Sequence, residues 1–463
     1  MQKKRFQAWV VSLSDIYSLK DDDAKGRLIS LGSALTTALY NVFITGVFYT
    51  GFLSMYGMSI TSVGIISFIP YIGSCFSVFS SVILERIRKR KRILILSKVF
   101  FYSLYILATT IMPQFVQDVH SRLIWFAVIL FIAHAVYALF SPGFTPWFYF
   151  FYPADHERRT RYITLNQIFA SVMSSLALIL SSIITDALSN TPYYTSVLLG
   201  LRYFAFVLVL LDVSMQACAK EYDYPQGPKI RFLQVFTLPF QYRKFLMCLL
   251  LMFAWNFIAN LNNGLWAYHL LNHMHFSYTL MNAMSMMYTI ILIFTSSVWR
   301  KILRRYSWIK TFGLAVLIWV PTEVLFFLMT PDRAYMYVPL CLAQNLLSVG
   351  LNISYANILY MNLPSENSTA HIAFYSIGCN LFAFLGLMIG TKISSIGGDV
   401  PHMLLGMPVY SVQYTTLCRA ALMLILGLVL IVRWRSFTPD QDIQEIEALS
   451  AAIRHNKRLR RAL

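Results

Sequence analysis

The chain has 463 residues, of which 57% are hydrophobic and 13% charged, and its mean hydropathy is +0.59. A soluble protein cannot bury that much apolar surface, whereas a helical bundle can expose it to lipid, so the composition excludes an ordinary soluble domain. The net charge of +18 could indicate nucleic-acid binding, but Lys and Arg cluster in short loops, which is a topology pattern. We therefore expect an all-α membrane protein with no nucleic-acid partner.

Twelve apolar spans follow a polar segment of residues 1–27, whose three- and four-residue apolar spacing predicts a cytoplasmic interfacial helix. Spans 1 to 6 are residues 28–54, 59–84, 93–112, 123–151, 162–188 and 195–217. Spans 7 to 12 are residues 245–271, 277–299, 310–330, 334–361, 371–394 and 413–434. A cytoplasmic linker, residues 219–244, therefore joins two six-helix bundles at 28–218 and 245–434, and residues 435–463 predict a cytoplasmic amphipathic helix.

The distribution of basic residues predicts the topology. When both termini and the loops after even-numbered spans lie on one side, that side holds most of the 38 Lys and Arg residues. Because basic loops stay in the cytoplasm, we expect both termini there, in a multi-pass protein of the plasma (inner) membrane. We further expect a monomer in contact with membrane lipids. The six cysteines show no metal or redox spacing, so neither a metal site nor a cofactor is predicted.

The two halves echo each other at matching loops. The loop after span 2 reads ERIRKR (85–90), and the loop after span 8 reads RKILRR (300–305). The loop after span 4 contains Pro-Ala-Asp (153–155), and the loop after span 10 contains Pro-Ser-Glu (364–366). Parallel repeats of this kind place a binding site at the interface between the halves.

These features resemble the major facilitator superfamily over essentially the whole membrane part. That family has Gly, then Asp-Arg, then Gly and two basic residues after span 2; the equivalent residues here are Ser81, Glu85, Arg86, Arg88, Lys89 and Arg90. Residues 142–161 also resemble a bacterial branch whose substrates are mostly unassigned. The resemblance implies twelve helices in two pseudo-symmetric six-helix bundles and transport by alternating access. It also implies a conformational-latch role for Glu85, Arg86, Lys89 and Arg90, although plain topology charge is the alternative explanation.

Two departures from the family argue against proton-driven drug export. Span 4 lacks the arginine, and span 5 lacks the Gly-Pro-rich motif, that the family's drug/proton antiporters carry. We therefore expect secondary active or facilitative uptake of a small polar solute, with a saccharide as the first guess. Efflux of amphipathic compounds is the alternative, and a membrane acyltransferase or a transporter-like sensor are alternatives from other classes. No nucleotide-binding loop, catalytic triad or metal cluster is visible, so we do not expect an enzyme.

In such a fold, spans 1, 4, 7 and 10 are expected to line the central cavity. In span 7, Asn256, Asn260 and Asn263 share one helical face, and Gly264 ends a run that favours bending or unwinding. Broken helices expose backbone groups to solutes, and indole rings suit flat cargo. The other candidate substrate-binding residues lie in the same four spans and are Asn41, Thr45, His134, Tyr137, Trp255, Trp266, Asn345, Asn352 and Tyr355. The alternative is that these polar side chains only join helices.

Asp212 in span 6 and Glu323 in span 9 are the strongest intramembrane carboxylates. A buried carboxylate can carry a coupling proton, but both can instead pair with a neighbouring residue. The coupling ion is thus a proton or sodium, or transport is a uniport. His269, His273 and His275 include one pair at helical spacing, but no acid or cysteine joins them in the sequence, so they predict no metal site.

Overall fold

The computed structural model describes residues 17, 21–84, 86–153, 156–224, 236–364, 368–404, 406–438 and 443–444. Glu85, most of the N-terminal segment, part of the linker and most of residues 435–463 therefore lie outside the described residues. Among the described residues, eleven helices or helix runs are long and apolar enough to cross a membrane. The expected twelfth is span 7, which is broken into two shorter helices, Arg243–Ala259 and Leu265–Asn272.

The helices follow the predicted spans closely in both halves. The first half contains Asp22–Ile44 and Gly46–Met55 (span 1), Ile60–Ser74, Cys75–Phe79 and Ser80–Leu84 (span 2), Lys91–Tyr102, Ser103–Ala108 and Thr109–Phe115 (span 3), Val119–Phe140, Ser141–Gly143 and Phe144–Tyr149 (span 4), His156–Ala187 (span 5) and Tyr194–Ala217 (span 6). The second half contains Leu238–Gln241, the two helices of span 7, Tyr278–Tyr306 (span 8), Trp308–Phe327 (span 9), Pro331–Met336 and Tyr337–Met361 (span 10), Ser368–Ser395 (span 11) and Gln413–Phe437 (span 12). Between spans 11 and 12, strands β1 (His402–Leu404) and β2 (Met407–Val409) pair antiparallel, with Met403 opposite Pro408.

The chain forms two compact units. The first contains Met1–Met58, Ile69–Lys229 and Ser277–Asn282, and the second contains Ser59–Phe68, Ile230–Phe276 and Ala283–Leu463. Spans 2 and 8 each contribute residues to both units.

Small residues allow close helix packing within the second unit. A Cβ on Gly390 of span 11 would lie 1.6 Å from the Leu261 carbonyl oxygen of span 7, and one on Gly386 would lie 2.2 Å from that of Phe257. Only glycine fits at such distances, so span 11 packs directly on the backbone of span 7. Spans 9 and 12 meet in the same way at Gly313 and Gly427.

Polar groups fix the helices of the first unit. The Arg202 guanidinium of span 6 is buried and donates to Thr109 Oγ1, Thr110 Oγ1 and the Tyr105 carbonyl of span 3. That carbonyl belongs to the π-helical turn Ser103–Ala108, where the regular hydrogen-bond ladder is interrupted. The end of span 5 is fixed differently, because Asp186 accepts hydrogen bonds from the backbone amides of Tyr278 and Thr279 at 2.8 and 2.7 Å. A carboxylate at a helix N-terminus satisfies amides that have no intrahelical partner.

Candidate solute-binding and coupling residues

The first span of each half is discontinuous. Span 1 breaks at Thr45, which is extended, and continues from Gly46 with φ +60°. Span 7 breaks over residues 260–264 and continues after Gly264 with φ +77°. A positive φ is costly for residues with a Cβ, and at Gly264 a Cβ would also meet Ser67 Oγ at 2.9 Å. The predicted unwinding of span 7 is confirmed, and the break in span 1 extends the internal repeat to a feature that the sequence analysis did not find.

An amide and phenol network surrounds the break in span 7. Asn256 Nδ2 donates to Tyr355 OH of span 10 at 2.6 Å, and Tyr355 OH lies 3.2 Å from Tyr375 OH of span 11. Asn260 Nδ2 donates to the Asn256 carbonyl at 2.8 Å, and Asn263 Nδ2 donates to Asn260 Oδ1 at 3.1 Å. The three predicted asparagines and Tyr355 therefore form one continuous polar cluster within the second unit.

The candidate residues of span 10 contact two neighbouring helices, span 7 through Tyr355 and span 8 through two asparagines. Asn345 Nδ2 donates to the Met284 carbonyl at 2.8 Å, and Asn352 Nδ2 donates to Tyr288 OH at 3.0 Å, so both contact span 8. Asn352 is exposed among the described residues, as is Asn263. These two side chains are therefore not enclosed by the packing of the second unit.

The two predicted tryptophans pack towards span 9. The Trp255 ring meets the buried Phe312 ring edge-on at 5.2 Å, and the Trp266 ring meets Phe326 edge-on at 5.5 Å. Both indoles thus contribute to the hydrophobic packing of the second unit as well as flanking the break in span 7.

Glu323 is connected to the break in span 7 through an arginine. Glu323 Oε1 accepts from Trp319 Nε1 at 2.8 Å and Gln344 Nε2 at 3.0 Å, and Arg419 Nη1 of span 12 lies 3.4 Å from it. Arg419 Nη1 also donates to Asn262 Oδ1 inside the break at 3.0 Å. The buried carboxylate is therefore paired, and its partner holds the broken segment.

Asp212 is paired with a lysine of span 3. Lys98 Nζ lies 2.6 Å from Asp212 Oδ2, and both residues are buried. Gln216 Nε2 donates to the other carboxylate oxygen at 3.0 Å, and Tyr40 OH of span 1 donates to Oδ2 at 3.4 Å. The second predicted coupling carboxylate is thus also neutralised within its own unit.

The candidates of spans 1 and 4 have mostly local contacts. Thr45 Oγ1 donates to the Asn41 carbonyl at 2.7 Å, in the last turn before the break in span 1. His134 lies edge-on against Phe101 at 5.0 Å and Tyr105 at 5.6 Å, and Tyr137 stacks on Phe101 at 4.5 Å. His134 Nε2 is buried without a hydrogen-bond partner among the described residues. This aromatic setting is that of a core histidine.

The basic loop after span 2 binds the start of the linker. Arg90 stacks over the Tyr224 ring at 4.1 Å, and Lys91 Nζ donates to the Ala219 carbonyl at 2.6 Å. Arg86 and Lys89 are exposed, while Glu85 lies outside the described residues. The proposed latch residue Arg90 therefore has a definite partner in the first unit, on the linker.

Sequence reasoning missed three charged residues that complete these clusters: Lys98, Arg419 and Asp399. Lys98 and Arg419 are among the few basic residues outside the basic loops, and a charge inside an apolar span is itself a signal of a polar partner. Asp399 follows span 11 and lies next to His273, with His273 Nε2 and Asp399 Oδ1 3.2 Å apart. An acid therefore does join the histidines, although the sequence places it far from them.

Comparison with known proteins identifies the class. The sequence pattern of the Major Facilitator Superfamily matches residues 29–387, so the chain belongs to that superfamily. No curated protein sequence matches the chain. Many solved structures share its fold, and three of them are transporters named for different solutes.

A point mutant of the nucleoside transporter NupG aligns with a TM-score of 0.66 and 12% identity over 88% of this chain and 99% of the other. The D-xylose-proton symporter aligns with a TM-score of 0.61 and 11% identity over 91% of this chain and 99% of the other. A bacterial homologue of the iron transporter ferroportin, in an inward-facing state, aligns with a TM-score of 0.64 and 13% identity over 89% of this chain and 98% of the other. Such low identities establish the fold alone.

Membership in this superfamily settles the broad function. The chain is a multi-pass membrane protein that transports small solutes, not an enzyme, and the twelve-helix architecture expected from the sequence fits its fold. The acyltransferase alternative is therefore wrong.

Proposed function

We propose that this transporter takes up a small, neutral or weakly charged polar solute, with a saccharide as the first candidate, and that the broken segment of span 7 binds it. The observation that carries the proposal is the pair of discontinuous helices at equivalent places in the two repeats, each with a glycine at positive φ. A break at mid-membrane depth frees backbone groups to hydrogen-bond a solute.

The residues around the break in span 7 favour an uncharged polar solute. Asn256, Asn260 and Asn263 offer amide donors and acceptors, and Tyr355 adds a hydroxyl. The nearest charges are those of Glu323 and Arg419, which neutralise each other. A strongly charged solute would find no uncompensated partner in this described cluster.

We propose Glu323 as the coupling residue for a proton. Protonation of its carboxylate would remove the attraction to Arg419 and leave Arg419 freer to change its hold on Asn262. A proton would thereby alter the broken segment that we assign to solute binding. Asp212 is the weaker candidate. Its ion pair with Lys98 is shorter than that of Glu323 with Arg419, and it contacts span 1 only through Thr37 and Tyr40, both at 3.4 Å.

Ligand screening followed by substitution tests the solute assignment. Purified protein is heated with sugars, nucleosides, amino acids and amphipathic drugs, and a bound compound raises the unfolding temperature by mass action. We expect a polar solute to bind, and Asn260→Ala and Asn352→Ala each to weaken its affinity roughly tenfold, since each removes about 1–2 kcal/mol of hydrogen bonding.

Asn357→Ala is the matched control, because the Asn357 amide bonds to the Ile353 carbonyl of its own helix. Its affinity for the solute should equal that of the parent protein. Selective stabilisation by amphipathic drugs would support the efflux alternative. Binding that survives both test substitutions would reject the residue assignment. Flux in proteoliposomes separates a transporter from a sensor that binds without moving its solute.

We also propose the plasma membrane as the location, with both termini in the cytoplasm and the monomer as the working unit. The concentration of Lys and Arg in the loops after even-numbered spans supports the orientation.

A further inference from the structure

A chain of hydrogen-bonding groups extends from the end of span 7 to the segment that follows span 11. His269 Nδ1 and His273 Nδ1 are 3.0 Å apart, and His273 Nε2 lies 3.2 Å from Asp399 Oδ1. Tyr268 OH donates to Asp399 Oδ2 at 3.3 Å, and the Tyr410 ring stacks on His273 at 3.9 Å. The three titratable groups His269, His273 and Asp399 therefore contact one another in series, and all lie in the second unit.

Burial increases along this series. The Asp399 side chain is 40% exposed, the His273 side chain is 7% exposed, and His269 is completely buried. His269 Nε2 has no hydrogen-bond partner among the described residues. His269 lies five residues after Gly264, which corresponds to about 7 Å of helix, so the buried end of the series is close to the break in span 7.

The geometry permits a proton transfer that leaves the net charge of the three groups unchanged. Protonated Asp399 can give its proton to His273 Nε2, while the Nδ1 proton of His273 passes to Nδ1 of His269. Asp399 is then a carboxylate, His273 is neutral with its proton on Nε2, and His269 is an imidazolium with both nitrogens protonated. The Nδ1 contact at 3.0 Å requires one shared proton, so the two tautomers are linked.

We propose that Asp399, His273 and His269 form a proton relay that carries protons from the side opposite the basic loops to the break in span 7. The inference rests on the proposed transport function and its coupling proton, and it adds a route by which that proton reaches the broken segment. A metal at this place is not favoured, because the described residues contain no group of three His, Cys, Asp or Glu arranged to hold one.

The surroundings set the direction of the pH response. Burial lowers the pKa of the His273 imidazole below its ordinary value, the Asp399 carboxylate opposes that shift, and His275 adds a smaller lowering effect. Tyr268 and Tyr410 are the other titratable groups against the relay. Removing the carboxylate takes away the raising influence, so protonation then needs a more acidic solution.

Tryptophan fluorescence provides the test, because the Trp266 and His269 rings are 5.2 Å apart and an imidazolium quenches a neighbouring indole. The full chain in lipid nanodiscs is titrated from about pH 8 to about pH 3, and the same titration of Trp266→Phe isolates the Trp266 signal. We expect acid quenching of Trp266. Asp399→Asn should move its midpoint lower by about one pH unit, and His269→Gln should abolish the transition.

The exposed His120 in the first unit supplies the matched control, and His120→Gln should keep the parent midpoint. If Asp399→Asn does not fold, Asp399→Glu should retain the parent midpoint, and His273→Gln, which breaks the contact between His269 and the carboxylate, should lower it. An unchanged quenching curve in His269→Gln, or in both Asp399→Asn and His273→Gln, overturns the relay. Solute binding without this titration rejects the relay alone, and the titration without any solute binding rejects the solute assignment alone.

Discussion

Lys98, Arg202 and Arg419 are basic residues inside apolar spans, and their partners differ. Lys98 pairs with Asp212, and Arg419 pairs with Glu323. Arg202 instead relies on two threonine hydroxyls, a carbonyl and the face of the Phe52 ring, whose centroid is 4.0 Å from the guanidinium carbon. A charge in a membrane interior is costly unless its partners replace the lost hydration, so these contacts are requirements of folding as well as candidates for function.

Breaking the Lys98–Asp212 pair should destabilise the protein. Asp212→Asn leaves the Lys98 ammonium buried without its counter-charge, and such a loss costs about 3–5 kcal/mol. The unfolding temperature in detergent should fall clearly. The double variant Lys98→Met/Asp212→Leu removes both charges and should recover most of the loss.

The exposed pair Asp22–Lys220 is the control, since its side chains are 66% and 48% exposed and 3.2 Å apart. Asp22→Asn should leave the unfolding temperature almost unchanged, because water already screens that pair. If Asp212→Asn and Asp22→Asn lowered the unfolding temperature equally, burial would not increase the cost of losing an ion pair.

At the scale of elements, the backbone of span 7 depends on the small residues of span 11. The broken helix cannot complete its own hydrogen-bond ladder, so its shape must be fixed by a close neighbour. Gly386 and Gly390 let the span 11 backbone approach the carbonyls of Phe257 and Leu261. Gly386 and Gly390 therefore permit the close packing that stabilises the broken segment of span 7.

Gly390→Ala should destabilise the second unit by about 1–3 kcal/mol, because its Cβ would fall 1.6 Å from the Leu261 carbonyl oxygen and force backbone movement. Gly200→Ala is the matched control in a helix, since nothing lies within 4 Å of the added Cβ. Thermal unfolding should separate the two variants. Similar unfolding temperatures would show that spans 7 and 11 do not pack as described.

At the scale of the whole molecule, the orientation in the membrane is a prediction from charge. Alkaline phosphatase, which is active only outside the cytoplasm, is fused in a bacterial host after residue 57, after residue 406 or after residue 438. We expect activity from the first two fusions and none from the third, since basic loops remain in the cytoplasm. The reverse pattern would place Asp399, the exposed end of the proposed relay, on the cytoplasmic side of the membrane.

Four features can be read from the amino-acid sequence without a structure: the membrane class, the span positions, the two-repeat plan and the weak point at Asn260–Gly264. These features depend on composition, local hydropathy and local helix propensity, which can be read within a short window of residues. The sequence also indicated Asp212 and Glu323 as carboxylates that need partners, because a lone charge in an apolar span is conspicuous.

Which side chains meet becomes visible only in the folded chain. Lys98 and Asp212 are 114 residues apart, and His273 and Asp399 are 126 residues apart. Neither pairing has a local signature, because it depends on how helices pack rather than on neighbours in the chain. The break in span 1 has no such signature either, since Thr45 and Gly46 form no run of poor helix formers like that of span 7. The Ile44 carbonyl beside this break instead accepts a hydrogen bond from Tyr105 OH of span 3, a residue 61 positions away.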